Sequence, residues 1–174
     1  MILNKDFLWG GAISANQSEG CYLDYGKGLS QFDNLPLNEN RLKEVFLDKD
    51  NILNEKDQYY PSHIGNKFYE NYKEDIAKLA ELGFKCFRFS ISWPRIFPTG
   101  EEHEPNIKGL EFYDNIIKEL KKHNIEPLIT ISHFDMPFYL VENYGGWADR
   151  RVVDLYLKYS ETIMRRYKDD VKYW

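Results

Sequence analysis

The sequence predicts an α/β fold of parallel strands joined by helical crossovers: a partial (β/α)8 barrel made of the first three βα units and the start of strand four. Strand-like and helix-like segments alternate along the chain, which implies parallel strands with crossover helices. The connections from helix to strand are minimal, whereas those from strand to helix, residues 16–67, 94–106 and 133–148, are long and fall on one face. Loops beyond about 15 residues usually serve function, and a barrel builds its site from the loops after its strands. The other architecture compatible with the alternation, a doubly wound nucleotide fold, wants a Gly-x-Gly-x-x-Gly turn after strand one. Here Gly10 and Gly11 lie inside the strand instead. A complete barrel takes roughly 250 residues. Residues 1–174 are therefore expected to be the N-terminal part of one incomplete barrel domain.

Residues 7–15 (FLWGGAISA) are a short apolar run with small side chains, read as strand one. Residues 68–82 place Tyr69, Tyr72, Ile76, Leu79 and Leu82 at spacings of three and four, and Gly83 follows as a helix stop. Strand two covers residues 84–91 (FKCFRFSI). Asn106 is a candidate cap for a helix whose Leu110, Tyr113, Ile117 and Leu120 share a face. Residues 127–132 give strand three. Asp149 is the candidate cap of a third helix striped by Val152, Tyr156, Tyr159, Ile163 and Tyr167, and residues 171–174 begin strand four.

Composition narrows the function classes. The chain is 43% hydrophobic and 29% charged, within the range of an ordinary globular domain. A net charge of −5 with interspersed signs leaves no basic stripe for a phosphate backbone or anionic lipid, so neither nucleic acid nor membrane is an expected partner. An aromatic content of 16% suits surfaces that stack on sugar-like ligands. Cys21 and Cys86 lie too far apart for a metal knuckle and read as reduced thiols. Strand one begins too early to leave room for a signal peptide, and no apolar run spans a bilayer, so a cytoplasmic location is expected.

Side chains alternate along a strand, so Phe87, Phe89 and Ile91 should meet the helices while Cys86, Arg88 and Ser90 face the other way. Arg88 then points into the barrel, where a guanidinium wants a carboxylate; the alternative is an arginine that snorkels to solvent. Gln17 follows strand one and His133 follows strand three, both at the mouth. Each has a plainer reading, as a loop-capping glutamine and a structural histidine. Trp147, in the Gly145-Gly146-Trp147 turn, reads as a packing anchor before a sugar platform. A search for paired acids nominates Glu19 and Asp135 on separate loops, with their separation undetermined and chance pairing the simpler explanation.

Several blocks carry a family resemblance: FLWGGAISANQSEG, YGKGLS, YYPSH, FYENYKEDIAKLAELGFKCFRFSISWPRIFP, GLEFYD, EPLITISHFDMPFYLV, YGGW and RRYKDDVKYW. Long, ordered and spanning nearly the whole chain, they resemble glycoside hydrolase family 1, whose members are TIM-barrel enzymes. The resemblance implies that Gln17 and His133 hydrogen-bond the hydroxyls of the bound sugar and that Arg88 keeps the nucleophilic carboxylate ionised. It implies no cofactor and no metal. The stretch YYPSH, with Phe134 and Met136 after His133, is similar to the bacterial 6-phospho-β-glucosidases, where plain β-glucosidases more often have Trp and Leu. Asp135 departs from the Glu that phospho-specific members often carry.

In the family the acid/base glutamate lies in a Thr-Phe-Asn-Glu-like block directly after a segment like VKYW, and the nucleophile lies on strand seven. Neither is among these 174 residues. Double displacement needs both carboxylates, so the chain alone is expected to be inactive, with catalytic residues absent and Arg88 in a supporting role. The expected ligand is a β-glucoside or 6-phospho-β-glucoside. A non-catalytic sugar-binding half-barrel, or one that self-associates through open sheet edges, is the alternative.

Overall fold

A computed structural model describes residue 4, residues 6–39 and residues 58–174. Three strands, β1 (Gly10–Ala12), β2 (Cys86–Ser90) and β3 (Glu126–Thr130), form one parallel sheet in chain order, with Ala12, Arg88 and Leu128 in register across it. Gly10 is required there: a Cβ on it would lie 1.8 Å from the carbonyl oxygen of Cys86. Tyr173 makes a parallel bridge to Leu128, its carbonyl accepting from Ile129 N at 2.9 Å, so a fourth strand starts within residues 171–174.

Three long helices cover one face of the sheet. After labelling the short helices α1 (Ala15–Ser18), α2 (Pro61–Ile64), α4 (Trp93–Ile96) and α6 (Phe138–Tyr144), they are α3 (Phe68–Glu81), α5 (Ile107–Lys122) and α7 (Arg151–Tyr167). Gly83 at φ +84° and Asn124 at φ +56° end α3 and α5 with left-handed residues and turn the chain straight into the next strand. Phe87 and Phe89 are buried from the strand side, their rings 6.2 Å from Phe68 of α3 and 6.5 Å from Tyr113 of α5. Trp93 stacks on Tyr159 of α7 at 5.4 Å. Burying each such ring contributes about 2–3 kcal/mol, which makes this face the seam between sheet and helices.

Several boundaries differ from the sequence reading. Strand one is three residues long, not nine, because Ser90 Oγ accepts a hydrogen bond from Ala15 N at 2.8 Å and starts a helical turn where extended chain is predicted. Strand three begins at Glu126 and ends at Thr130, two residues sooner than predicted. Asn106 precedes α5 without capping it; its amide donates instead to the carbonyls of Tyr25 and Arg95. Asp149 lies two residues before α7, and its carboxylate accepts from Arg151 N at 2.8 Å. The first long connection contains α1, a 3-10 turn at Gln31–Asn34 and α2, and residues 40–57 of it lie outside the described residues. Ser90 is buried despite sharing a side with Arg88. Cys21 and Cys86 are free thiols, each pushed up in pKa mainly by burial.

Candidate functional site

The segments that follow the three strands meet at one end of the sheet. Gln17 lies five residues beyond Ala12 and His133 five beyond Leu128, two positions that share a register level across the sheet. Gln17 is exposed on α1, with its Oε1 accepting from Ser14 Oγ at 2.8 Å. His133 is half-buried and its ring meets Phe134 edge-on at 5.3 Å. Arg88 stands lower, on the sheet itself, exposed on the face opposite the helices and donating from Nε to Thr130 Oγ1 at 2.8 Å. Among the described residues no carboxylate pairs with it. It lines an open groove of about 480 Å3 with Leu128, Thr130, Ser132 and Trp174. Gln17 and His133 are outside that lining, so the three residues occupy two levels of one strand end rather than a single closed pocket.

Beneath this rim the segments are joined by buried charge. Arg95 of α4, wholly buried, donates from Nε to Glu19 at 2.8 Å and from Nη2 to the carbonyl of Gly20 at 3.2 Å. Its guanidinium lies over the ring of Tyr69, 4.5 Å from the centroid, and Tyr113 OH donates to the other Glu19 oxygen at 2.5 Å. Burial opposes the charge on Arg95, but Glu19 outweighs it and raises the guanidinium pKa. Lys27 and Asp33 form a second buried pair at 2.7 Å, with Ser30 donating to the same carboxylate from N and Oγ at 2.8 Å each. Burial alone would raise Asp33; the Lys27 charge and the hydrogen bonds from Lys27 and Ser30 overcome it and lower its pKa.

These contacts correct the paired-acid reading. Glu19 is committed to Arg95 and Tyr113, while Asp135 is 1% exposed and sealed under the turn that carries His133. Both border the same cavity of about 10 Å3, too small for any sugar. Trp147 is half exposed, its ring edge-on to Tyr156 at 5.3 Å and tilted against Trp93 at 6.2 Å. Gln31, unremarked in the sequence, clamps the His133 turn: its Nε2 donates to Phe134 O at 2.6 Å and its Oε1 accepts from Met136 N at 2.7 Å. Arg95 did leave a signal, as the one charged residue in the run ISWPRIF, which cannot be buried without an acid.

Comparison with known proteins places this architecture. The chain is 52% identical over 170 residues to the aryl-phospho-β-D-glucosidase BglH of Bacillus subtilis, covering 98% of this chain and 34% of that protein. It is 46% identical over 174 residues to the 6-phospho-β-glucosidase AscB of Escherichia coli, covering 99% and 36%. It therefore spans about a third of the length of the curated relatives it matches. Among solved structures, a rice Os3BGlu6 β-glucosidase superposes with a TM-score of 0.82 at 32% identity, over 98% of this chain and 33% of that one. The family 1 β-glucosidase of Thermotoga maritima gives 0.80 at 36% identity, over 99% and 35%. The three βα units are thus part of a (β/α)8 barrel. With the model for glycosyl hydrolase family 1 matching residues 1–174, sequence and fold agree that the chain belongs to that family.

Proposed function

We propose that this chain is the N-terminal third of a retaining β-glycosidase that hydrolyses 6-phosphorylated β-glucosides inside a bacterial cell. One observation carries the phosphorylated class: relatives named for phospho-β-glucosides match at 41–52% identity, most of them at 46% or above, whereas the plant protein named β-glucosidase 10 matches at 40%. In this reading residues 1–174 are one incomplete barrel domain. Gln17 and His133 hydrogen-bond sugar hydroxyls at the rim, and Arg88, which pairs with no carboxylate among the described residues, meets the nucleophilic carboxylate supplied by a later strand. The acid/base and nucleophile glutamates lie outside these residues, so the isolated chain has a partial sugar site and no turnover.

The test has two arms. Incubated with an aryl β-glucoside 6-phosphate, the isolated chain should release no aglycone, and robust protein-dependent release overturns the reading. Substituted for the equivalent segment of the Bacillus subtilis relative, it should support hydrolysis of the phosphorylated substrate in preference to the plain aryl glucoside. In that chimera His133→Ala should lower kcat/KM roughly 10- to 100-fold, the loss expected when a buried polar group of the substrate goes unpaired. A chimera that favours the plain glucoside would sink the phosphosugar assignment.

A further inference from the structure

We propose that Asp135 is a positioning residue for the turn bearing His133, and that it holds the turn as an uncharged acid, losing its hold when it gives up its proton. The inference rests on the reading of His133 as a sugar contact. Asp135 follows His133 by two residues, is 1% exposed, and among the described residues neither of its carboxylate oxygens has a hydrogen-bond partner of ordinary geometry. The cavity it borders has a volume of about 10 Å3, room for one water and far short of a hydration shell.

Among the described residues the surroundings offer no free cation. Lys27 borders the same cavity but is paired with Asp33 at 2.7 Å, and Glu19 is paired with Arg95 at 2.8 Å. From α7 Tyr159 bears on Asp135, its hydroxyl held between the carbonyls of Ile91 and Ile131 at 2.8 and 2.5 Å. A carboxylate here would be a buried, unpaired charge, the costliest arrangement available to it, whereas the neutral acid desolvates far more cheaply. Burial pushes Asp135 up to about 7; the Ser92 hydroxyl nearby and the Lys27 charge offset a little of this, and Glu19 adds to it.

Ionisation would act on a turn whose far side is tied to the Leu29–Gln31 segment, by a bridge between Ser30 and Pro137 and by backbone bonds from Gln31 to Met136 and from Phe138 to Leu29. Phe134 sits at φ +69°, a left-handed conformation that a bulky residue adopts only when held. Gln31 holds it from the outer side through the two hydrogen bonds to Phe134 and Met136. On the inner side the turn is seated by the burial of the Asp135 side chain itself. Drawn toward water as a carboxylate, it would leave that seat and move His133 with it.

The test is an NMR titration of the unmodified chain from pH 5 to 9, following the side-chain carbon of Asp135 and the amide cross-peaks of His133 and Phe134. Asp135 should remain protonated at pH 6 and titrate near or above neutrality, with the turn cross-peaks shifting or broadening at the same midpoint. In Asp135→Asn, a neutral isostere, those cross-peaks should show no such midpoint. A carboxylate signal at pH 6, or a titration that leaves the turn unmoved, overturns the proposal whether or not the variant folds. No readout involves sugar, so failure of the sugar-contact reading would appear separately, in the His133→Ala chimera.

Discussion

Replacing Lys27 with Met should invert the pH dependence that Asp33 contributes to stability. In the parent, Asp33 is buried and its pKa is lowered, because the Lys27 charge and the bonds from Lys27 and Ser30 outweigh burial. A depressed carboxylate contributes stability that is present above its ordinary value of 3.8 and lost as pH falls through its folded value. Lys27→Met removes the main causes that lower it and leaves burial, which raises it, opposed by the two Ser30 bonds alone. The variant must then hold a buried charge or take up a proton. At pH 7, protonating a carboxylate with the ordinary value costs about 4.4 kcal/mol, which caps the penalty and matches the ~3–5 kcal/mol typical of a broken buried pair. At pH 5 the cap falls to about 1.6 kcal/mol. Lys27 also bonds the carbonyls of Tyr22 and Gly28, adding about 1 kcal/mol at either pH. At about 2–4 °C per kcal/mol for a chain of this size, thermal unfolding followed by circular dichroism should drop by ~10–20 °C at pH 7 and by less than half as much at pH 5. Adding Asp33→Asn should recover most of the pH 7 loss. Equal losses at the two pH values, or no recovery in the double variant, would refute the reasoning.

Three further outcomes follow from the same geometry. Gly10→Ala should destabilise the chain by about 3 kcal/mol in a denaturant titration, because its methyl meets the Cys86 carbonyl at 1.8 Å and β1 must part from β2; an unchanged midpoint would mean that the pairing is wrong. Arg88→Ala should alter stability by less than about 0.5 kcal/mol, since Arg88 is exposed and, among the described residues, bonded only to Thr130, and a larger loss would reveal a structural role. The apolar run Phe7, Leu8 and Trp9 is exposed beside the open edge of β1, so sedimentation should show the average mass rising with concentration, less so in Trp9→Lys. A monomer at every concentration would count against association through that edge.

Much of the fold was legible because periodicity reports burial directly. The three long helices lie where the spacing of Ile76, Tyr113 and Tyr159 predicts them, and Phe87 and Phe89 alternate against Arg88 as a one-sided strand requires. Strand one was overdrawn because an apolar run looks alike whether it is strand or helical turn. Only the Ser90 hydroxyl, 75 positions away, ends it by meeting Ala15 N. The site divided in the same way. Gln17, Arg88 and His133 could be nominated because strand ends are countable from sequence, whereas Gln31 could not, since its two partners are 103 and 105 positions distant.

By itself, then, the sequence determined the order of strands and helices, the face of β2 that meets the helices, the end of the sheet where the polar rim collects, and the family. Each of these depends on local spacing or on blocks of neighbouring residues. Tertiary structure alone decided which charges answer each other: that Glu19 belongs to Arg95, that Asp33 belongs to Lys27, and that among the described residues no cation is left to Asp135. The physical reason is that the energy of a charge depends on burial and on partners brought close by folding, and separation along the chain carries no information about either.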